Sequence, residues 1–200
     1  YDVFDESRYF LPGQRPALLE LGQRPGGGGW RLGLSICEDL WVEQDLQQQR
    51  VAGVDPIGEL AALGVDLLLN LSASPYGRGK LALRRHLGQR AASRVGCPLV
   101  YVNQVGGNDE LVFDGASFVV DAAGAVLGQG PGCREALLLW DGSEPHGSWR
   151  ELPLEGAIAV AGALPAAAAS AGPHSAVAAA GAALADESRG GRQGNGGPAG

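Results

Sequence analysis

Methionine is absent from this 200-residue chain, lysine occurs once, at Lys80, and cysteine three times, at Cys37, Cys97 and Cys133. With no initiator Met and a start at Tyr1-Asp2-Val3-Phe4, the sequence reads as a piece cut from a longer protein. Three widely spaced cysteines form neither a disulfide framework nor a zinc motif, so the expected compartment is a reducing cytoplasm and no metal site is expected. Fifteen Lys and Arg against 22 Asp and Glu leave a net charge of −7. That balance argues against a general nucleic-acid or anionic-membrane surface, because phosphate binding needs a cationic footprint. No apolar stretch approaches the length of a membrane span, and no leader pattern is visible. The run Pro25–Gly29 is rich in glycine but lacks the spacing of a phosphate loop, so it earns no nucleotide role.

What is present is organised around Trp30–Trp41, WRLGLSICEDLW. An alternating run ends at Ile36 and breaks into Cys37-Glu38-Asp39, which reads as a strand delivering a cysteine to a sheet edge. Such junctions are where α/β proteins commonly display nucleophiles. Pro56 opens a helix over Ile57–Leu63 that Gly64 can stop. Val65–Leu71 reads as a buried strand, and Gly79–Val95 as an amphipathic helix with Arg84, Arg85, Arg90 and Arg94 mostly outward. Pro98–Val102 is the next strand. Asn103–Asp114 is read as a polar loop with a Gly-Gly turn that feeds back into a strand. Phe118–Asp121 and Ala125–Leu127 form a hairpin, and Ala136–Trp140 one more strand. Helix alternating with strand at this pitch predicts an α/β sheet. From about Gly156 the composition falls to Ala, Gly, Ser and Pro, with little to bury. The chain is therefore divided into a folded domain over 1–150 and a low-complexity tail over 151–200, expected to be disordered or loosely helical.

On its own residues Cys37 has two readings. A thiol becomes a nucleophile when a neighbouring base or cation supports its deprotonated form, and a small buried hydrophobe is the ordinary alternative. Glu38 is next in sequence but on a strand would point to the opposite face. His86, His146 and His174 are not persuasively placed for a Cys-His pair. Ser74-Pro75 reads as an ordinary turn and Lys80 as a solvated helix start.

Four motifs in order change the balance: YDVFDESRYFLPG at the start, ICEDLW, NLSASPYGRGK and YVNQVGGNDELVFDG. Over roughly residues 1 to 140 the chain resembles the glutaminase domain of glutamine-dependent NAD+ synthetases, a branch of the nitrilase, or carbon–nitrogen hydrolase, superfamily. The resemblance implies the α-β-β-α sandwich, incomplete at the N-terminus, and a Glu-Lys-Cys triad whose cysteine falls on Cys37. The matching glutamate and lysine would lie before Tyr1, so the chain is expected to be inactive alone. Glutamine-holding positions fall on Tyr1, Ser74 and Lys80. Glu6 matches a second, positioning carboxylate, with an exposed loop acid as the alternative. Glu38 and Asp39 are expected to fix the loop around Cys37 by accepting backbone hydrogen bonds. Asn103, Gln104, Asp109, Glu110 and Asp114 are assigned to scaffolding and domain communication, Cys97 to packing and Cys133 to a loop.

The resemblance further implies glutamine as substrate, a synthetase domain as partner and a homo-oligomer. The glutaminase domain would need no cofactor. ATP and Mg belong to the synthetase domain, whose Ser-Gly-Gly-x-Asp-Ser loop is found nowhere here. The alternatives are a stand-alone amidase of the superfamily and a non-catalytic remnant of the fold.

Overall fold

A computed structural model describes residues 9–11, 13–22, 27–41, 55–142 and 148–152. Contacts divide the chain into a unit over Tyr1–Glu151 and a second over Leu152–Gly200, of which only Leu152 is described. The expected tail therefore lies almost wholly outside the described residues.

Among the described residues ten strands and two helices follow one another. They are β1 (Ala17–Leu21), β2 (Trp30–Ile36), α1 (Pro56–Leu63), β3 (Leu67–Ser72), α2 (Lys80–Val95), β4 (Leu99–Asn103), β5 (Val105–Asn108), β6 (Leu111–Asp114), β7 (Phe118–Val120), β8 (Val126–Gln129), β9 (Leu137–Asp141) and β10 (Ser148–Leu152). A six-stranded sheet has the order β1-β2-β3-β4-β7-β8. Its centre, β2-β3-β4, is parallel, while β1, β7 and β8 join antiparallel. Parallel neighbours need crossovers long enough for a helix, and α1 and α2 lie in those crossovers. Two two-stranded sheets, the β5-β6 hairpin and β9-β10, complete the described strands.

Local chemistry accounts for the helix limits. Asp55 caps α1 by accepting the Gly58 N–H (2.9 Å), Pro56 occupies the first turn, and Gly64 ends the helix in the left-handed region. Gly79 and Gly96, both left-handed, bracket α2. Both helices pack on one face of the sheet. Ile57 and Leu60 of α1 and Leu87, Ala91 and Ala92 of α2 close over Leu68, Leu99, Phe118 and Val120. Gly88 sets the approach of α2: a Cβ there would sit 2.8 Å from Cε2 of Phe118. On the opposite face Ile36, Leu71 and Val102 form one register row across β2, β3 and β4 and remain exposed. The described residues thus give one helix layer on one sheet. The further sheet and helix layers of an α-β-β-α sandwich are not among them.

Three readings need correction. Arg84 does not face outward: it is 1% exposed, at helical spacing with the buried Leu87, Gly88 and Ala91. Within Asn103–Asp114 the strand after the turn is present as β6, but the residues before it form β5 of a hairpin rather than a loop. Gly106 and Gly107 lie in β5, and the turn falls at Asp109-Glu110, with Asp109 at φ +52°. Residues 17–21, over which no element is predicted, form the edge strand β1.

Candidate active site around Cys37

The parallel strands β2, β3 and β4 end side by side, and their carboxyl ends carry Cys37, the loop Ala73–Gly77 and Asn103. In open α/β sheets this edge is where ligands bind. Cys37 is half-buried at the first position of a single 3-10 turn, Cys37–Leu40. Its φ of +42° lies in a region that costs a residue with a Cβ about 1 to 2 kcal/mol. The strain is held from both sides. Asp39 reaches back so that its Oδ2 accepts the Ile36 N–H at 2.7 Å, and Trp41 N–H donates to Glu38 C=O at 2.8 Å. Leu40 and Trp41 anchor the far end in the core. The geometry therefore gives Asp39 the loop-fixing role expected of it. Burial raises the Asp39 carboxyl, the Ile36 hydrogen bond lowers it and the Glu38 charge adds to the rise. Residues 37–40 form a turn, so the strand argument that Glu38 points away from Cys37 does not apply.

Lys80 stands at the first position of α2, half-buried, with Nζ 5.9 Å from the centre of the Trp41 ring, a cation–π contact. Burial lowers the ammonium's pKa and Arg84, one turn on, lowers it further. Cys37, Glu38 and Asp114 pull it back up. Lys80 is thus packed beside the Trp41 ring at the end of the Cys37–Leu40 turn rather than being a solvated helix start.

Beneath these groups runs a buried polar network. Asn70 Nδ2 donates to Ser35 Oγ at 3.0 Å, and Ser72 Oγ donates to Asn70 Oδ1 at 2.6 Å. Tyr101, beside Asn70 on β4, stacks on Phe118 with ring centres 4.7 Å apart. Burial raises the Tyr101 phenol most. The Ser72 hydroxyl, the Arg84 charge and the Ser74 hydroxyl act against it, while Cys37 adds to the rise. Tyr101 thus lies within electrostatic reach of both Cys37 and Ser74. The Ser74 hydroxyl oxygen itself is buried and closes no hydrogen bond of normal geometry.

The backbone of Ser74 is held firmly. Its N–H donates to Asn103 Oδ1 at 2.9 Å, and its C=O accepts from Asn103 Nδ2 at 3.4 Å and from Arg84 Nη1 at 3.2 Å. Arg84 also forks onto Asp114, Nη1 to Oδ1 at 2.8 Å and Nη2 to Oδ2 at 2.5 Å. Asn103 is completed by Gly115 C=O and the Ser117 hydroxyl.

Cys37, Lys80 and Ser74 thus lie at one edge of the sheet, with Lys80 over the Trp41 ring and Arg84 on the Ser74 carbonyl. Tyr1 and Glu6 lie outside the described residues. Sequence reasoning missed Arg84, Asn70 and Tyr101. A signal for Arg84 existed: it falls four residues after Lys80 and three before Leu87, on the apolar stripe of α2. Cys97 is packed in the core, where burial pushes its thiol up to about 11. Cys133 is exposed in a loop. Among the described residues no helix is long and apolar enough to cross a membrane.

A half-buried, strained cysteine at the carboxyl edge of a parallel sheet is an arrangement in which a thiol can act as a nucleophile. Residues 2–141 match the carbon–nitrogen hydrolase family, and the chain belongs to it. It is 44% identical over 139 residues to the glutamine-dependent NAD(+) synthetase of Synechocystis sp., covering 70% of this chain and 24% of that protein. Against the glutamine-dependent NAD(+) synthetase of Thermotoga maritima it is 40% identical over 142 residues, 70% of this chain and 22% of the relative. Among solved structures, the glutamine-dependent NAD+ synthetase of Acinetobacter baumannii, in complex with ADP, superposes with a TM-score of 0.56 at 33% identity. That match covers 78% of this chain and 24% of the other. The chain spans about a quarter of the length of the curated relatives it matches.

Proposed function

We propose that this chain carries the glutamine-hydrolysing site of a glutamine-dependent NAD+ synthetase. The observation that carries the reading is Cys37, held at positive φ at the carboxyl edge of the sheet in a chain 44% identical over 139 residues to one such enzyme. Cys37 Sγ attacks the side-chain amide carbon of glutamine. The S–C bond forms, the C–N bond breaks, and the leaving nitrogen takes a proton and departs as ammonia. Water then attacks the γ-glutamyl thioester, the C–S bond breaks, and glutamate and the thiol are released. Lys80, as a cation, and the Ser74 hydroxyl suit the α-carboxylate of glutamine, with Tyr1 shaping the pocket wall and Glu6 serving as a second carboxylate.

The resemblance assigns no residue of this chain to the general base or to the lysine that stabilises the tetrahedral intermediate. The 200-residue chain is accordingly expected to release no ammonia by itself. The ammonia would pass to a synthetase domain that amidates nicotinic acid adenine dinucleotide, using ATP and Mg, in a cytoplasmic homo-oligomer. The glutamine-hydrolysing site itself needs no cofactor.

The test supplies glutamine to the protein expressed with its flanking gene sequence and measures ammonia. Release that disappears in Cys37→Ala is the expected result. Release that survives that substitution removes Cys37 from the chemistry and with it this reading.

A further inference from the structure

Ser74 combines two facts that pull in opposite directions. Its backbone is tied at both ends: N–H to Asn103 Oδ1, C=O to Asn103 Nδ2 and Arg84 Nη1. Its hydroxyl, 1% exposed at the residue level, lies near the Tyr101 phenol but closes no hydrogen bond of normal geometry. A buried hydroxyl without a well-formed hydrogen bond carries a desolvation cost of roughly 1 to 3 kcal/mol, which an incoming polar group can recover. The surrounding loop is fixed as well. Pro75 follows immediately, and Tyr76 N–H donates to Val112 C=O at 2.6 Å.

The Arg84–Asp114 pair fits this arrangement better than it fits a purely structural role. Buried ion pairs are weak sources of stability, and apolar residues of like volume often serve as well. An apolar pair, however, offers no donor to the Ser74 carbonyl. Asn103 likewise uses both ends of its amide, which an aliphatic side chain does not reproduce.

We propose that Asn103 and the Arg84–Asp114 pair are positioning residues for substrate: together they hold the backbone of Ser74 so that its buried hydroxyl is presented to the amino-acid end of the bound amide. The proposal rests on the glutamine reading above. It adds which residues preorganise that subsite, so that little ordering remains to be done on binding.

The test labels Cys37 in the full chain, in a Cys133→Ser background, and follows the Cys37 peptide by mass spectrometry. Two electrophiles are compared: iodoacetamide, which has no amino-acid group, and 6-diazo-5-oxo-L-norleucine, a glutamine-shaped diazoketone. Asn103→Ala is expected to lower the preference for the diazoketone about tenfold, as loss of a hydrogen bond to a charged group would, while iodoacetamide reacts within about twofold of the parent rate. Arg84→Lys keeps the charge, loses the fork, and should act in the same direction with less risk to folding. Ser74→Ala should cost a similar factor, and Ser74→Ala with Asn103→Ala no more than either alone. A preference kept in Asn103→Ala, or losses that simply add, overturns the positioning role.

If the parent chain shows no preference for the diazoketone, the glutamine reading fails instead, and amide hydrogen exchange decides the positioning. Exchange across residues 72–79 should then be about tenfold faster in Asn103→Ala with α1 unchanged, since the Ser74 N–H has lost its acceptor. Equal exchange overturns the proposal.

Discussion

Arg84 and Asp114 close a two-pronged ion pair inside the protein, with Arg84 1% and Asp114 7% exposed, between the middle of α2 and the end of β6. Removing one partner leaves a charge buried without its counterion, which typically costs about 3 to 5 kcal/mol, far more than the intact pair contributes. Arg84→Met should therefore lower the urea midpoint sharply. Arg84→Met combined with Asp114→Leu should recover much of the loss, because no unpaired charge remains. A single variant as mild as an ordinary surface substitution, within about 0.5 kcal/mol, would show that the carboxylate finds another partner or water.

Gly88 tests the packing of α2 on the sheet. Alanine is a better helix former than glycine by about 1 kcal/mol, so propensity alone predicts that Gly88→Ala stabilises. Packing predicts the reverse. The new Cβ would stand 2.8 Å from Phe118 Cε2 and 3.1 Å from its Cζ. The ring cannot swing aside, because Phe118 is 1% exposed and stacked on Tyr101. Overpacking of this kind costs about 1 to 3 kcal/mol. The net expectation is a loss of roughly 1 kcal/mol by chemical denaturation. A more stable variant would mean that α2 can lift from the sheet without penalty.

Cys97 gives a pH dependence with a defined sign. Burial raises its thiol from 9.0 to about 11, so the folded state keeps its proton where the unfolded chain has lost it. Between these values the native state binds more protons than the unfolded state, and stability falls as pH rises. The contribution is fully present below about pH 9 and is lost by about pH 11, an effect on the order of 2 kcal/mol. Melting curves of the parent and Cys97→Ala should converge across this window. Parallel curves would mean that the thiol ionises as readily folded as unfolded.

Much of the scaffold is legible in the sequence because its punctuation is chemical. Pro56, Gly64 and Gly96 mark helix limits that only their backbone preferences explain, and the β7-β8 hairpin follows from its Ala-Ala-Gly link. The β5-β6 hairpin was misread because Gly106-Gly107 has the composition of a turn, while the chain turns at Asp109, which tolerates a left-handed backbone. Cys37 was legible as a site from its place at the end of an apolar run. Its strain was not, since no local rule assigns a positive φ to cysteine. Ser74 and Asn103 illustrate the deeper limit. One lies in a turn-like SASP string and the other beside a Gly-Gly pair, and only the pairing of β3 with β4 brings them together.

The backbone at Cys37 supplies the last prediction. A residue with a Cβ pays for φ +42° in steric strain, and glycine does not. Cys37→Ala and Cys37→Gly both delete the thiol and leave nearly the same space, so their difference isolates the backbone. Glycine loses more conformational entropy on folding, about 0.5 to 1 kcal/mol, but relief of the left-handed strain outweighs it. Cys37→Gly should therefore be more stable than Cys37→Ala by roughly 1 kcal/mol, although glycine is ordinarily the less stabilising residue. The reverse order would mean that the turn relaxes to negative φ, leaving Cys37 an ordinary half-buried thiol. The expected order would mean that Ile36, Asp39 and Trp41 hold the sulfur in place against the preference of its own backbone, as a pre-set nucleophile requires.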